Sequence, residues 1–529
     1  MRQGTYSPLR LRGAGGPPYP HGGPLSVGWD QSAGNLVDDR QGDFMKLLFL
    51  FLTLAGAAGP AVAREAVVAG QFYPADKAAL SAFVDAALAG GGAGRPAGEV
   101  VAVLAPHAGY EYSGKMAGLA YKFIGDSYDT VVILAAGHTE GVKGAALLVS
   151  DFYETPLGKV FPDKKLAAAL QKASPLFEER PSAHAREHAV EVQLPFLQRK
   201  LKRPFLLLPA VLNTGDLSTL KKIGAALAAA LRGKKALIVI STDFSHYPSS
   251  ETAAAADGAM LLAMGSMAPD IVWTTARMLD AKKVPGLETC ACGEAAVEAG
   301  MEAARNLGAA SFQTLKISDS YNENPGSAGP GRVVGYISGL FVRGGKADQL
   351  TLSRAQGAAL LKEARLTLEY YFSGKEAPGG LERDPRLNLP GAVFVTLTAG
   401  GNLRGCVGTV EPAMTLMDAV RYGAISAAFR DGRFPPLKAE ELPGVRLEVS
   451  VLSRLKLAKA GDIKPRVHGV VAAGEGRSGL FLPQVWEQIP DKEDFLGELC
   501  AQKAGLRRTC WKDAGTSLYT FTVDAFLEK

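Results

Sequence analysis

Between residues 64 and 343 the chain alternates short apolar runs with longer stretches of helical spacing. The runs at 100–105, 130–136, 205–212 and 236–240 are rich in Val, Ile and Leu, which predicts strands buried on both faces. The segments 166–172, 189–201, 217–231 and 294–307 have helical periodicity and helix-forming composition. Strands alternating with helices predict an α/β domain whose central sheet is covered on both sides. The pattern changes after a polar linker at 344–349. A strongly periodic helix is expected over 350–371 with Ser353 as a candidate N-cap, followed by a strand at 390–397 and a turn at 399–402 into a hairpin partner at 403–408. A further strand at 446–452 and helices near 415–429 and 494–504 complete an α+β module over 350–529.

The N-terminal sixty residues follow neither pattern. Residues 1–44 are rich in Gly and Pro and lack apolar periodicity, so they read as a disordered or mis-assigned leader. From Met45 the sequence runs MKLLFLFLTLAGAAGPAVAREA: a Lys, an apolar stretch too short to span a bilayer comfortably, a Gly-Pro break and a small-residue cleavage site. Residues 45–63 are therefore expected to be a signal peptide, with export to the periplasm and Arg64 as the mature N-terminus. If the segment is not used, the protein stays in the cytoplasm. No other segment predicts a membrane span once the signal is removed.

Charge adds little. The 529 residues carry 58 Lys plus Arg against 53 Asp plus Glu, a net +5, with no basic run that would track a phosphate backbone, so nucleic acid is not indicated. Five Cys are too few for a disulfide framework and must be read one by one.

The candidate chemistry sits at strand ends. Three of the seven His follow predicted strands: His107 after the first, His138 after the second, and His246, close behind Asp243, after the fourth. Open α/β sheets bind ligands beyond the carboxyl ends of their strands, so three imidazoles there point to a site, although each alone could serve a loop. Neutral imidazole ligates iron, copper or zinc, and Cys292, just before the helix predicted from 294, offers a thiolate. The string His184-Ala185-Arg186-Glu187-His188 also matches the H-x-x-E-H pattern of inverted zinc proteases, a short motif that arises easily by chance. Glu187, His188 and Glu191 are further candidates for orienting ligands from behind.

GQFYP at 70–74, LAPHAGYEYSG at 104–114, ILAAGH at 133–138, REHAVEVQLPF at 186–196, STDFSHY at 241–247, CACG at 290–293 and VVGYISG at 333–339 together resemble the Memo-like family, also called AmmeMemoRadiSam system protein B. The resemblance implies a fold similar to the LigB-type class III extradiol dioxygenases, and a metal held by His107, His138 and Cys292. Asp243 and His246 would line the same pocket as catalytic groups, with His246 moving a proton. The chain departs from the family in lacking a second His beside His138 and in carrying Cys290, which could join Cys292 in an oxidising compartment.

In the second module Cys406 lies between two glycines, and the only His of that half is His468, so a small buried Cys is the plainer reading than a nucleophile. GGNLRGCVGT at 400–409, AAFRDGRFPP at 427–436, LEVSVL at 447–452 and GLFLPQVW at 479–486 resemble the AMMECR-type domain, AmmeMemoRadiSam system protein A. Arg404, Cys406, Arg430, Asp431 and Arg433 are its candidate ligand contacts. The two resemblances imply a metal-dependent oxidoreductase using iron(II) or copper on an unidentified small-molecule substrate, with a radical SAM protein as partner. The competing expectation is a metal-binding or copper-handling protein without turnover, its second domain an interaction module.

Overall fold

The strand at 130–136 buries all of its residues, and it does so on two sides. In the computed structural model, which describes residues 63–528 apart from 92–93, 95, 150–151 and 376–378, Val131, Ile133 and Ala135 join one apolar core while Val132 and Leu134 join another. This is the two-residue alternation of a strand with helices on both faces. The leader at 1–44 and the signal-like segment, apart from residue 63, lie outside the described residues.

The N-terminal domain has one eight-stranded sheet. Its strands are β1 (Glu99–Ala105), β2 (Thr130–Ala136), β3 (Ala145–Leu147), β4 (Phe177–Glu179), β5 (Leu206–Leu212), β6 (Ala236–Ser241), β7 (Ser311–Asp319) and β8 (Gly335–Arg343), in the spatial order β7-β8-β1-β6-β2-β5-β3-β4. The central four, β1, β6, β2 and β5, run parallel. Helices α1 (Lys77–Ala89) and α2 (Tyr110–Lys122) cover one face. Helices α3 (Leu217–Leu231), α4 (Ser250–Gly265), α5 (Pro269–Ala281) and α6 (Glu294–Asn306) cover the other. The expected α/β class is what forms. The single helix expected over 189–201 divides instead into a 3-10 turn, Glu191–Gln193, and a helix, Leu194–Lys200. Glu191 and Gln193 are fully buried and spend their side chains on distant groups: Glu191 accepts from the N–H groups of Val67 and Val68, and Gln193 donates to Pro106 and Ser241.

The C-terminal domain begins with α7 (Arg354–Ser373), where Ser353 and Gln356 form a capping box. Strands β9 (Pro390–Ala399) and β10 (Asn402–Gly408) make the expected hairpin, followed by α8 (Leu416–Phe429) and β11 (Val445–Leu452). Then come β12 (Lys456–Ala458), β13 (Gly469–Gly474), β14 (Arg477–Phe481), α9 (Lys492–Glu498), β15 (Ser517–Phe521) and β16 (Val523–Leu527). Two antiparallel sheets result, β10-β9-β11-β16 and β12-β15-β13-β14. The helix expected over 494–504 is α9 continued by a π-helical turn, Leu499–Lys503, and Cys500 in that turn is joined to Cys510 by a disulfide.

The two domains share apolar contacts. Leu389 belongs to the core under α3 to α6, and Pro385 lies against Gly258 of α4 so closely that a Cβ there would come within 2.5 Å. Lys282 pairs with Asp418 at 2.7 Å across the junction, and Arg454 with Asp270. Among the described residues, no helix is long and apolar enough to cross a membrane.

Candidate metal centre

Adjacent parallel strands β1, β6 and β2 end side by side, so the residues that follow them converge. His107 follows β1, His138 follows β2, and Ser241 ends β6 with Thr242 and Asp243 next. One ring nitrogen from each of His107, His138 and His188 lies within 4.8 Å of the others. The His107 ring meets the other two edge-on, and His138 and His188 stack with centroids 4.7 Å apart.

Hydrogen bonds settle which nitrogen of two rings faces inward. The Ser241 hydroxyl donates to the Ala189 carbonyl and accepts from Gln193, so it can only accept from His107 Nδ1, 3.1 Å away. The proton of His107 therefore sits on Nδ1, leaving Nε2 as a lone pair that faces Cys292 Sγ at 3.1 Å. Glu187 accepts from the His138 backbone N–H at 2.7 Å and from its Nδ1 at 2.9 Å, which again frees Nε2. A carboxylate behind an imidazole fixes its tautomer and strengthens it as a ligand. His188 Nδ1 lies 3.4 Å from the same carboxylate.

Burial, reinforced by the neighbouring imidazoles, lowers His107 to about 3 and His188 to about 4, so both are free bases at neutral pH. Burial alone would raise Glu187, but its hydrogen bonds and charge contact with His138, aided by the Ala189 N–H, hold it at about 2. The Cys292 thiol is pushed well up by burial and by Asp243, so without a cation it stays protonated. Cys292 can approach because Gly293 is a glycine: a Cβ there would lie 2.7 Å from Thr242 Cβ and 2.8 Å from the Ser241 carbonyl.

The other predicted residues have separate places. Asp243 accepts from the His107 N–H at 2.7 Å, and burial raises its carboxyl, so it braces the β1 loop. His246 donates from Nδ1 to the Phe244 carbonyl at 2.6 Å, so backbone holds the ring and Nε2 is the nitrogen left for other contacts. Cys290 is buried, with Sγ directed to Asp280 at 3.4 Å, and both Cys290 and Cys292 are free thiols. His184 has both nitrogens engaged, with Tyr153 and with the Ala146 carbonyl, and its short helix ends at Ala185. The H-x-x-E-H string therefore does not form a two-histidine helical face. Glu191 anchors the chain entry, where the buried Arg64 and the Tyr73 hydroxyl reach it. His188 enters the cluster from a loop, so no strand-end or helical signal marks it; its one clue is the adjacent Glu187.

In the C-terminal domain Arg404 is tied to Glu441 and to the carbonyls of Pro435 and Pro436, while Arg433 pairs with Asp431. Asp431 also accepts from the Cys406 N–H at 2.9 Å, and Arg430 caps α8. Cys406 is half-buried, more open than expected, and His468 accepts from the Lys464 N–H instead of serving the thiol.

Residues 64–340 match the family model described as Memo-like protein. The chain belongs to the Memo-like family. It is 35% identical over 280 residues to a MEMO1 family protein of Aquifex aeolicus (strain VF5), spanning 53% of this chain and 99% of that one. A MEMO1 family protein of Nitrosopumilus maritimus (strain SCM1) is 34% identical over 262 residues, 49% of this chain and 92% of its own. Beyond the Memo-like domain, residues 361–526 match the model described as AMMECR1. A protein of Methanothermobacter thermautotrophicus is 40% identical there over 188 residues, 34% of this chain and 96% of its own. A solved structure of an uncharacterized protein from Pyrococcus horikoshii is similar at 38% identity, with a TM-score of 0.31, covering 33% of this chain and 91% of that one.

Proposed function

We propose that the Memo-like domain is a metal-dependent oxidoreductase-like protein of the AmmeMemoRadiSam system, its iron(II) or copper held by His107, His138 and Cys292 with His188 facing the same space. One observation carries this: three imidazole nitrogens lie within 4.8 Å of one another, beside a thiol 3.1 Å from one of them. The rings of His107 and His138 are turned inward by hydrogen bonds at their outer nitrogens, the arrangement that favours metal ligation. Imidazole and thiol together suit a borderline or soft ion, and such an ion, when bound, supplies redox chemistry and open positions for a substrate. Around it, Ser241 and Glu187 orient the rings, Asp243 fixes the β1 loop, and His246 is the group that moves a proton through Nε2. The AMMECR1 domain supplies contacts to a small-molecule substrate or a partner, with a radical SAM protein the partner suggested by the system.

Metal analysis of the purified chain tests the ligands. Close to one iron or copper per chain is expected, lost in His138→Ala and Cys292→Ala; full occupancy in both variants overturns the assignment. His246→Ala should keep the metal and lose oxygen uptake with a catechol panel. A second reading, a copper-handling protein without turnover, draws on the thiol in the donor set. Rapid transfer of Cu(I) to a chelator marks the handling protein, and retention marks the catalytic centre.

Export is part of the proposal. One observation supports it: a Cys500–Cys510 disulfide suits an oxidising compartment. Mass spectrometry of the native N-terminus reads the outcome: Arg64 supports export, and Met1 or Met45 overturns it.

A further inference from the structure

His188 joins the imidazole cluster from a loop, and it is oriented by other means than its two neighbours. The His107 ring is turned by Ser241 and the His138 ring by Glu187, each through a hydrogen bond at Nδ1, whereas His188 Nδ1 stands 3.4 Å from the Glu187 carboxylate. Packing against the Phe72 and His138 rings, with centroids 4.8 and 4.7 Å away, and the backbone that carries it therefore place the His188 ring. That backbone is held on both sides. After the ring, the His188 carbonyl accepts from the Val192 N–H at 3.1 Å. Before it, the Glu187 carbonyl, which belongs to the peptide entering His188, accepts from Arg64 Nη2.

Arg64 spends all three of its guanidinium nitrogens here. Nε donates to the His184 carbonyl at 3.0 Å, Nη1 to Glu191 and to the Glu65 carbonyl at 3.2 Å, and Nη2 to the Glu187 carbonyl. Its Cζ lies over the Tyr153 ring, 4.7 Å from the centre. The His184 and Glu187 carbonyls end one turn, since the Glu187 N–H donates back to the His184 carbonyl at 3.2 Å. Arg64 and Glu191 are both buried, and any cation would neutralise that carboxylate. What the planar fork adds is a grip on two carbonyls in fixed directions, which a single ammonium does not reproduce.

We propose that Arg64 is a positioning residue of the metal centre: by fixing the turn that enters His188, it holds that imidazole within ligand reach beside His107 and His138. The inference rests on the metal-centre reading above and adds to it a residue that touches none of the donor atoms. Groups that orient a metal ligand from behind tune its affinity for the ion, and here the orienting bonds fall on the backbone of the ligand's own loop. A residue that merely anchored the chain entry would need only Glu191, which the Tyr73 hydroxyl and the N–H groups of Val67 and Val68 already reach.

The experiment loads the full chain anaerobically with iron(II) or Cu(I), whichever the wild type retains, and reads affinity by competition with a chelator. Arg64→Lys keeps a charge opposite Glu191 but loses the fork, and should weaken metal binding by about tenfold or more. The double variant Arg64→Met with Glu191→Gln removes both buried charges together, leaves neither unpaired, and should show the same loss. Tyr73→Phe, which loosens the same carboxylate without touching the 184–187 turn, should stay within about twofold of wild type. In a His188→Ala chain, Arg64→Lys should change the affinity by no more than about twofold, because the group it positions is gone. Wild-type affinity in both Arg64 variants, an equal loss in Tyr73→Phe, or an undiminished loss in the His188→Ala chain overturns the proposal while leaving the metal centre standing. A wild type that retains neither ion overturns the centre itself, and this inference with it.

Discussion

Glu187 is the residue on which the candidate centre turns, because one buried carboxylate meets His138 twice and stands beside His188. Groups of this kind typically contribute 10- to 100-fold in metal affinity, so Glu187→Gln should weaken metal binding by about that factor while leaving the three rings present, as read by competition with a chelator. The buried histidines also set an acid limit. His184, fully buried, is lowered by burial to about 4 from the ordinary 6.5. The unfolded chain therefore takes up a proton that the folded state refuses, so stability is lost as the pH falls below 6.5 and the loss levels off near 4. At about 1.4 kcal/mol per pH unit, His184 alone costs on the order of 3 kcal/mol across that window. His107 and His188 act in the same sense. Urea unfolding of the metal-free protein should show its midpoint falling between pH 6.5 and 4, and a flat profile would contradict these assignments.

At the scale of elements, α6 decides whether Cys292 reaches the histidines, since the thiol sits just before its first turn. The helix approaches β6 at Gly300, where a Cβ would lie 2.5 Å from Ile240 Cδ1, a fully buried side chain. Gly300→Val should push α6 off the sheet at a cost of roughly 1–3 kcal/mol or more. It should also lower metal content without touching a donor, as unfolding and metal analysis on the same sample would show. The strands were readable because buried parallel strands leave continuous apolar runs, and β2 and α3 fall where the pattern predicts them. The 3-10 turn at Glu191–Gln193 and the π turn at Leu499–Lys503 were not readable. Both sit in sequences with adequate helix propensity, and both depart from it because tertiary partners, a buried hydrogen-bond network in one case and a disulfide in the other, claim their side chains.

For the whole molecule the Cys500–Cys510 link ties the smaller sheet's covering turn to the loop before β15. A loop of this size contributes about 2–3 kcal/mol when closed, so reduction, or Cys500→Ser with Cys510→Ser, should lower the stability of the AMMECR1 domain by about that amount. The transition of the Memo-like domain should move less, which calorimetry with and without reductant can separate. That separation has a limit set by the junction, where Leu389 is buried in the first domain's core and Lys282 pairs with Asp418.

The sequence by itself determined the two-domain order, the α/β and α+β classes, the family, and the strand ends where His107 and His138 stand, since periodicity, motif and topology are written locally. Only the tertiary structure decided that His188 joins them while His184, four residues earlier, is spent on Tyr153 and Ala146. It likewise decided that Cys500 finds Cys510. Those choices depend on which groups become neighbours once the sheets pack, and linear spacing carries no record of distance across a core.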